Sequence, residues 1–173
     1  RTKDLTVTAE NSADSASIAD FKRQKRYRLM WMGTKYEPGT VKVVAYNEKG
    51  DAVAEKEIHT AGKPDHIELV ADRNEIKADG KDLSFVTVRV VDKEGNLCPD
   101  AQHLIKYAVK GAGTYRAGAN GDPTSLELFH VPQMKVFNGM MTAVVQSTDK
   151  PGEITLTATG KGLKSGRLVL ISK

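Results

Sequence analysis

Apolar and polar residues alternate along this chain with a period of two, in short runs closed by turn residues. In residues 83–92, Val86, Val88 and Val90 fall on one side and Thr87 and Arg89 on the other. In residues 66–71 the inward set is Ile67, Leu69 and Ala71, and in residues 153–159 it is Ile154, Leu156 and Ala158. Successive side chains of a strand point to opposite faces, so this period predicts strands with one buried face. Residues 104–109, 140–147 and 167–172 are further strands of the same kind. Between them lie Ala78-Asp-Gly80, Lys93-Glu-Gly-Asn96, Asn120-Gly-Asp-Pro123, Asn138-Gly139 and Lys150-Pro-Gly152, all turn-forming combinations. No stretch sustains a 3.6-residue period, so almost no helix is expected. Many short strands with such turns predict an antiparallel β-sandwich.

The pattern before residue 63 is less complete. Residues 4–8 read as a short strand, and the small polar residues 9–17 as a loop or mobile insertion. Residues 27–32 read as a strand, and Tyr36-Glu-Pro-Gly39 as a turn. Residues 40–46 and 52–58 form a hairpin about Asn47-Glu-Lys-Gly50. A hairpin with one companion strand is marginal alone. Ala61-Gly-Lys-Pro64 is the best boundary. The expected architecture is all-β, with tandem immunoglobulin-like antiparallel sandwiches. The first, residues 1–62, is incomplete, with residues 1–26 partly loop or mobile; the second is residues 63–173. The chain starts at Arg1 rather than Met, which reads as a fragment.

Composition narrows the function. With 39% hydrophobic and 6% aromatic residues, the chain can seal a thin sandwich but not a large core around a deep pocket. The net charge of +4 is spread evenly, which argues against a nucleic-acid partner. The basic run 22–28, beside Tyr27 and Trp31, reads as the solvated start of a strand. No apolar run is long enough to span a bilayer, so membrane insertion is not expected. Cys98 is the only cysteine and reads as a buried small hydrophobe, without an internal disulfide.

Two strings of residues resemble known families. Ile67-Glu-Leu, Ile76-Lys-Ala-Asp-Gly80, Val86-Thr-Val-Arg-Val-Val-Asp92, Gly95 and Pro99 resemble bacterial immunoglobulin-like modules of the invasin and intimin type. A longer series runs through Tyr27-Arg-Leu-Met-Trp31, residues 36–46, Thr60-Ala-Gly-Lys-Pro64, Asp72-Arg73, residues 78–83 and Asn120-Gly-Asp122. It resembles the C-terminal tail of family 2 glycoside hydrolases of the β-galactosidase type. That resemblance covers residues 27–173; residues 1–26 depart from it with a longer polar insertion. It implies a non-catalytic region that braces or positions a catalytic barrel in the same polypeptide. The two catalytic carboxylates lie in that barrel. It also implies export to the periplasm or cell surface, and leaves room for oligomerisation through the parent protein. A carbohydrate-binding module and an invasin-like adhesion stalk are the alternatives.

The residues themselves offer few chemical constellations. Glu55 and Glu57 share a strand face, and a retaining glycosidase needs carboxylates about 5–5.5 Å apart. Lys49 and Lys56 lie close in sequence, so the pair reads as a solvated face. Asp79, Asp82, Asp92, Asn120 and Asp122 could supply oxygen ligands to calcium, but turn chemistry explains each of them. His59, His66, His103 and His130 are scattered without zinc-ligand spacing. Gly111-Ala-Gly113 precedes a strand rather than a helix, so it makes no phosphate cradle. No catalytic residue, metal or cofactor is expected. Tyr27, Trp31, Tyr36 and Tyr115 are the aromatics to weigh for sugar stacking, and Trp31 shares a face with Leu29, as a core residue would. Tyr115 sits in the glycine-rich residues 111–118, which with Asn120-Gly-Asp122 would form one loop end. Tyr115, Arg116, Asn120 and Asp122 are therefore the candidates for contact with a glycan or another domain.

Overall fold

The structure is a computed structural model that describes residues 35–173. The strands expected at residues 4–8 and 27–32, the polar stretch 9–17 and the basic run 22–28 lie outside the described residues. The chain divides into two units, Arg1–Gly39 and Thr40–Lys173. In the first, the described residues 35–39 form a bend without a strand.

The second unit holds eleven strands and, among the described residues, no helix. Strands β1 (Thr40–Tyr46) and β2 (Ala52–His59) pair antiparallel as a two-stranded sheet. Asn47 shapes the turn, because its side-chain oxygen accepts the Lys49 and Asp51 amides, both at 2.9 Å. The register sorts the side chains. Val41 lies opposite Ile58 and Ala45 opposite Ala54, on the face away from Lys42, Glu55 and Glu57.

The other nine strands are β3 (His66–Ala71), β4 (Glu75–Ile76), β5 (Leu83–Val91), β6 (Leu104–Gly111), β7 (Gly113–Ala119), β8 (Gln133–Lys135), β9 (Met140–Ser147), β10 (Gly152–Gly160) and β11 (Gly166–Ser172). They form a five-stranded sheet in the order β4-β11-β10-β6-β8 and a four-stranded sheet in the order β3-β5-β9-β7. All pairs are antiparallel except β4 with β11.

The alternation read from the sequence is the packing pattern. Val86, Val88 and Val90 of β5 and Ala143 and Val145 of β9 are fully buried from one sheet. Ile154, Leu156 and Ala158 of β10, Ile105 of β6 and Leu170 of β11 are fully buried from the other. They form one hydrophobic cluster. Burying one such Val, Leu or Ile contributes about 1.5–3 kcal/mol, so the strand period carries most of the driving force. Thr87 and Arg89 lie on the opposite face of β5, where Arg89 pairs with Glu68 of β3 at 2.6 Å. Cys98 is buried and free, and burial pushes its thiol above the ordinary range.

The glycine-rich segment behaves differently from the expected loop. Residues Gly113–Ala119 are strand β7, paired with β9 through a bulge between Tyr115 and Ala117. Its glycines mark close packing rather than a turn. A Cβ on Gly113 would lie 2.8 Å from the Ile154 side chain, and one on Gly118 would lie 2.5 Å from the Tyr115 hydroxyl. Glycine within a strand often signals such an approach.

Two local devices hold the turns. Asn138 and Gly139 both have positive φ, 50° and 73°, and Phe137 and Met140 exchange backbone hydrogen bonds of 2.9 and 3.0 Å around them. This is the mirror-image turn that suits strand twist. Gly139 is also crowded, since an added Cβ would meet the Cys98 carbonyl oxygen at 2.2 Å. The second device is Asp92, only 1% exposed. Its carboxylate accepts the Gly62 amide at 2.7 Å, the Glu94 and Asn96 amides at 3.0 and 2.8 Å, and the Asn96 side-chain amide at 3.1 Å. One side chain thereby joins the β5–β6 connection to the segment leading into β3. The Gly62 amide, foremost among these donors, holds the Asp92 carboxyl down at about 2, against an ordinary 3.8.

Gly139→Ala should destabilise the domain by more than about 1 kcal/mol in urea unfolding, because positive φ and the Cys98 carbonyl both oppose a methyl group. Asn138→Gly keeps the turn and serves as the near-neutral control. For Asp92 the folded value is the lower one, so its contribution is complete above pH 3.8 and is lost as pH falls towards 2. Asp92→Asn should lower the unfolding midpoint at neutral pH and flatten its fall over that acid window, as urea midpoints measured against pH will read.

Candidate functional site

The four candidate residues lie on β7 and the loop that follows it, and the structure gives them unequal roles. Tyr115 is half-buried. Its ring stacks on that of Tyr107, with centroids 5.5 Å apart and planes 12° from parallel. Tyr107 is buried and its hydroxyl donates to the Met141 sulfur at 2.7 Å. The Tyr115 hydroxyl reaches the Phe129 carbonyl at 3.5 Å. Burial raises both phenols above their usual range. Tyr115 is thus a rim residue of the core with one ring face occupied. Arg116, at the β7 bulge, is exposed.

Asn120 and Asp122 shape the backbone. The Asn120 side chain donates to the Lys135 carbonyl at 3.0 Å and accepts the Asp122 amide at 3.0 Å. The Asp122 carboxylate accepts the Thr124 hydroxyl at 2.7 Å and the Thr124 amide at 2.8 Å, and these bonds depress its pKa. Side chains of this kind imitate a backbone turn. Further along, Glu127 accepts the Lys135 amide at 3.1 Å, and the Phe129 carbonyl accepts the Gly118 amide at 2.8 Å. The connection from β7 to β8 is therefore tied back at both ends to the strands that flank it.

That ordered connection presents apolar side chains outward. Leu126 is 95% exposed, Leu128 61% and Phe129 63%. The sequence reading passed over these residues. The signal was the run Leu126-Glu-Leu-Phe129, largely apolar yet set in a stretch that opens with turn residues.

The other constellations resolve into structural roles. Lys42 of β1 lies 3.0 Å from Glu55 and 3.1 Å from Glu57, and the hydrogen bonds to Glu55 and then Glu57 raise its pKa. The two carboxylates thus share an ion pair on an exposed hairpin face. Asp79 accepts the Lys81 and Asp82 amides at 2.8 Å. Asp82 accepts the Lys77 amide at 2.8 Å and pairs with Arg73 at 3.0 Å. The turn acids thus bond their own loops. His59 contacts Thr40, His66 contacts Asp65, and His130 is exposed. His103 is half-buried, and its Nδ1 lacks a partner. Among the described residues no three His, Cys, Asp or Glu side chains come together in a metal-binding group. No helix among them is long and apolar enough to cross a membrane.

Comparison with known proteins agrees with this architecture. A family model described as glycoside hydrolase family 2 C-terminal domain 5 matches residues 67–169. A second, for a domain of unknown function, matches residues 8–54. The β-galactosidase BoGH2A of Bacteroides ovatus is 52% identical over 134 residues, which is 78% of this chain and 16% of that protein. A β-galactosidase of Thermoanaerobacter pseudethanolicus is 38% identical over 63% of this chain and 13% of its own length. Among solved structures, a glycosyl hydrolase family 2 member from Bacteroides cellulosilyticus superposes with a TM-score of 0.75 at 35% identity, covering 81% of this chain and 18% of that one. A β-glycosidase from Bacteroides vulgatus also gives 0.75, at 26% identity over 79% of this chain and 18% of its own. The chain spans only 13–16% of the length of the curated relatives it matches. The immunoglobulin-like sandwich of β3–β11, with its alternating core, thus has a family, and this chain belongs to the C-terminal domains of family 2 glycoside hydrolases.

Proposed function

We propose that this chain is a non-catalytic accessory region of a β-galactosidase-like glycoside hydrolase, bracing or positioning the catalytic barrel of the same polypeptide. One observation carries the reading. The 52% identity to a β-galactosidase runs over 78% of this chain yet only 16% of the enzyme. The similarity therefore falls on a minor portion of that protein, matched by a family of C-terminal domains.

The side-chain chemistry supports the same role. Cleavage by a retaining glycosidase uses one carboxyl as acid and a second as nucleophile, on either side of the scissile bond. Glu55 and Glu57 instead converge on Lys42. Asp79, Asp82, Asp92 and Asp122 accept hydrogen bonds from their own turns. A domain of this kind contributes a rigid, shaped surface rather than proton transfer. Its nine strands around one sealed core provide that rigidity. Tyr115 gives limited support to glycan stacking, because Tyr107 occupies one face of its ring.

The isolated chain should release no chromophore from a chromogenic β-galactoside and show no saturable glycan binding at millimolar ligand. The longer polypeptide should hydrolyse the same substrate and lose thermal stability when residues 63–173 are deleted. Turnover by the isolated chain would sink the accessory reading, and saturable binding abolished by Tyr115→Ala would replace it with a carbohydrate-binding one.

A further inference from the structure

We infer that the connection between β7 and β8 is the surface by which this module seats on another domain of its own polypeptide, with Leu126, Leu128 and Phe129 as the contact. This rests on the accessory reading above and names the surface that would do the bracing.

The first support is order combined with exposure. An apolar loop that merely tolerates solvent has no need of a fixed shape. Here Asn120, Glu127 and the Phe129 carbonyl tie the loop to β7 and β8, and Asp122 bonds Thr124 within it. The bonds are satisfied within the loop and its flanking strands, and the apolar side chains are left outside. Leu126 is 95% exposed. Three strongly exposed apolar side chains within four residues of an ordered loop fit an interaction site.

Chemistry narrows the occupant. Sugar recognition combines a flat aromatic face with free polar groups for the hydroxyls. Two of the three contact residues are leucines. The acidic side chains of the loop are already engaged: Asp122 with Thr124, and Glu127 with Ser125 and the Lys135 amide. Such a surface fits an apolar protein patch better than a glycan.

Area narrows it again. Three side chains of this size offer on the order of 400 Å². A stable complex between free partners needs about 800 Å² from each side. A second copy of this chain meeting only this surface would therefore dissociate. A tethered domain is different, because covalent linkage raises its effective concentration to about the millimolar range. The matched portions are 16% and 13% of the curated relatives, so a longer polypeptide of their kind has room for such a domain.

Hydroxyl-radical footprinting tests this by reading side-chain accessibility directly. Labelling of Leu126, Leu128 and Phe129 should be high in the isolated chain. It should fall several-fold in the longer polypeptide, independently of protein concentration. The double variant Leu126→Glu/Leu128→Glu should restore Phe129 labelling there while leaving the melting temperature of the isolated chain unchanged, which rules out misfolding as the cause. Equal labelling in both proteins overturns the inference. So does protection that appears only with concentration, which would mean a second copy, or only on adding a galacto-oligosaccharide, which would mean a glycan. None of these outcomes touches the galactoside assay, so the docking surface can fail while the accessory reading stands.

Discussion

A single thin core between two sheets governs the rest of this molecule. Each strand crossing it must give alternate residues to the interior, and those residues must be small or branched enough to meet their counterparts across a narrow gap. Val86, Val88 and Val90 of β5 face a core shared with Ile154, Leu156 and Ala158 of β10, and all six are fully buried. A slip of one residue in either strand would turn this set outward, so the register is strongly specified. With the interior committed to sealing, polar chemistry is left to the turns and outer faces.

That division explains how the acidic residues are used. Asp79, Asp82, Asp92 and Asp122 sit where strands end, and their carboxylates accept amides that a turn leaves without partners. The hydrogen bonds depress each of their pKa values, so the acids remain ionised over the ordinary pH range. Asp92 goes furthest because it gathers donors from both its own turn and Gly62. The same rule operates on the hairpin, where Lys42 draws Glu55 and Glu57 together. Acidic residues that could suggest catalysis or metal binding thus belong to the scaffold's own hydrogen-bond economy.

One loop of the sandwich departs from this pattern. The β7–β8 connection satisfies its backbone locally yet keeps Leu126, Leu128 and Phe129 outside. Ordered loops on rigid strands are a common place for binding contacts, and the proposed docking surface lies on such a loop. The stacked Tyr107–Tyr115 pair lies at the base of this loop and links it, through the Phe129 carbonyl, to the core.

The long alternating strands were legible in the sequence because strand periodicity is local. β3, β5, β9, β10 and β11 each carry their buried face as a repeat of two, and Asn138-Gly139 announces its turn in two residues. Strand β7 was legible only in part: a strand was expected after Gly113, yet residues 111–118 were also read as part of a loop end. Its glycines carry the same letters as a flexible loop, and only the approach of Ile154 and the Tyr115 hydroxyl shows that they make room for packing. The short strands β4 and β8 were likewise missed, because two or three residues hold no period. The roles of the candidate residues were not legible: the stacking of Tyr115 on Tyr107 joins two strands, and the outward placement of Leu126, Leu128 and Phe129 depends on the fold around them. Sequence alone determined the class of fold, since pattern and turn chemistry depend on neighbours along the chain. Which side chains are enclosed, which are tied to a turn and which are left facing outward depends on contacts between distant residues, and the tertiary structure alone decided them.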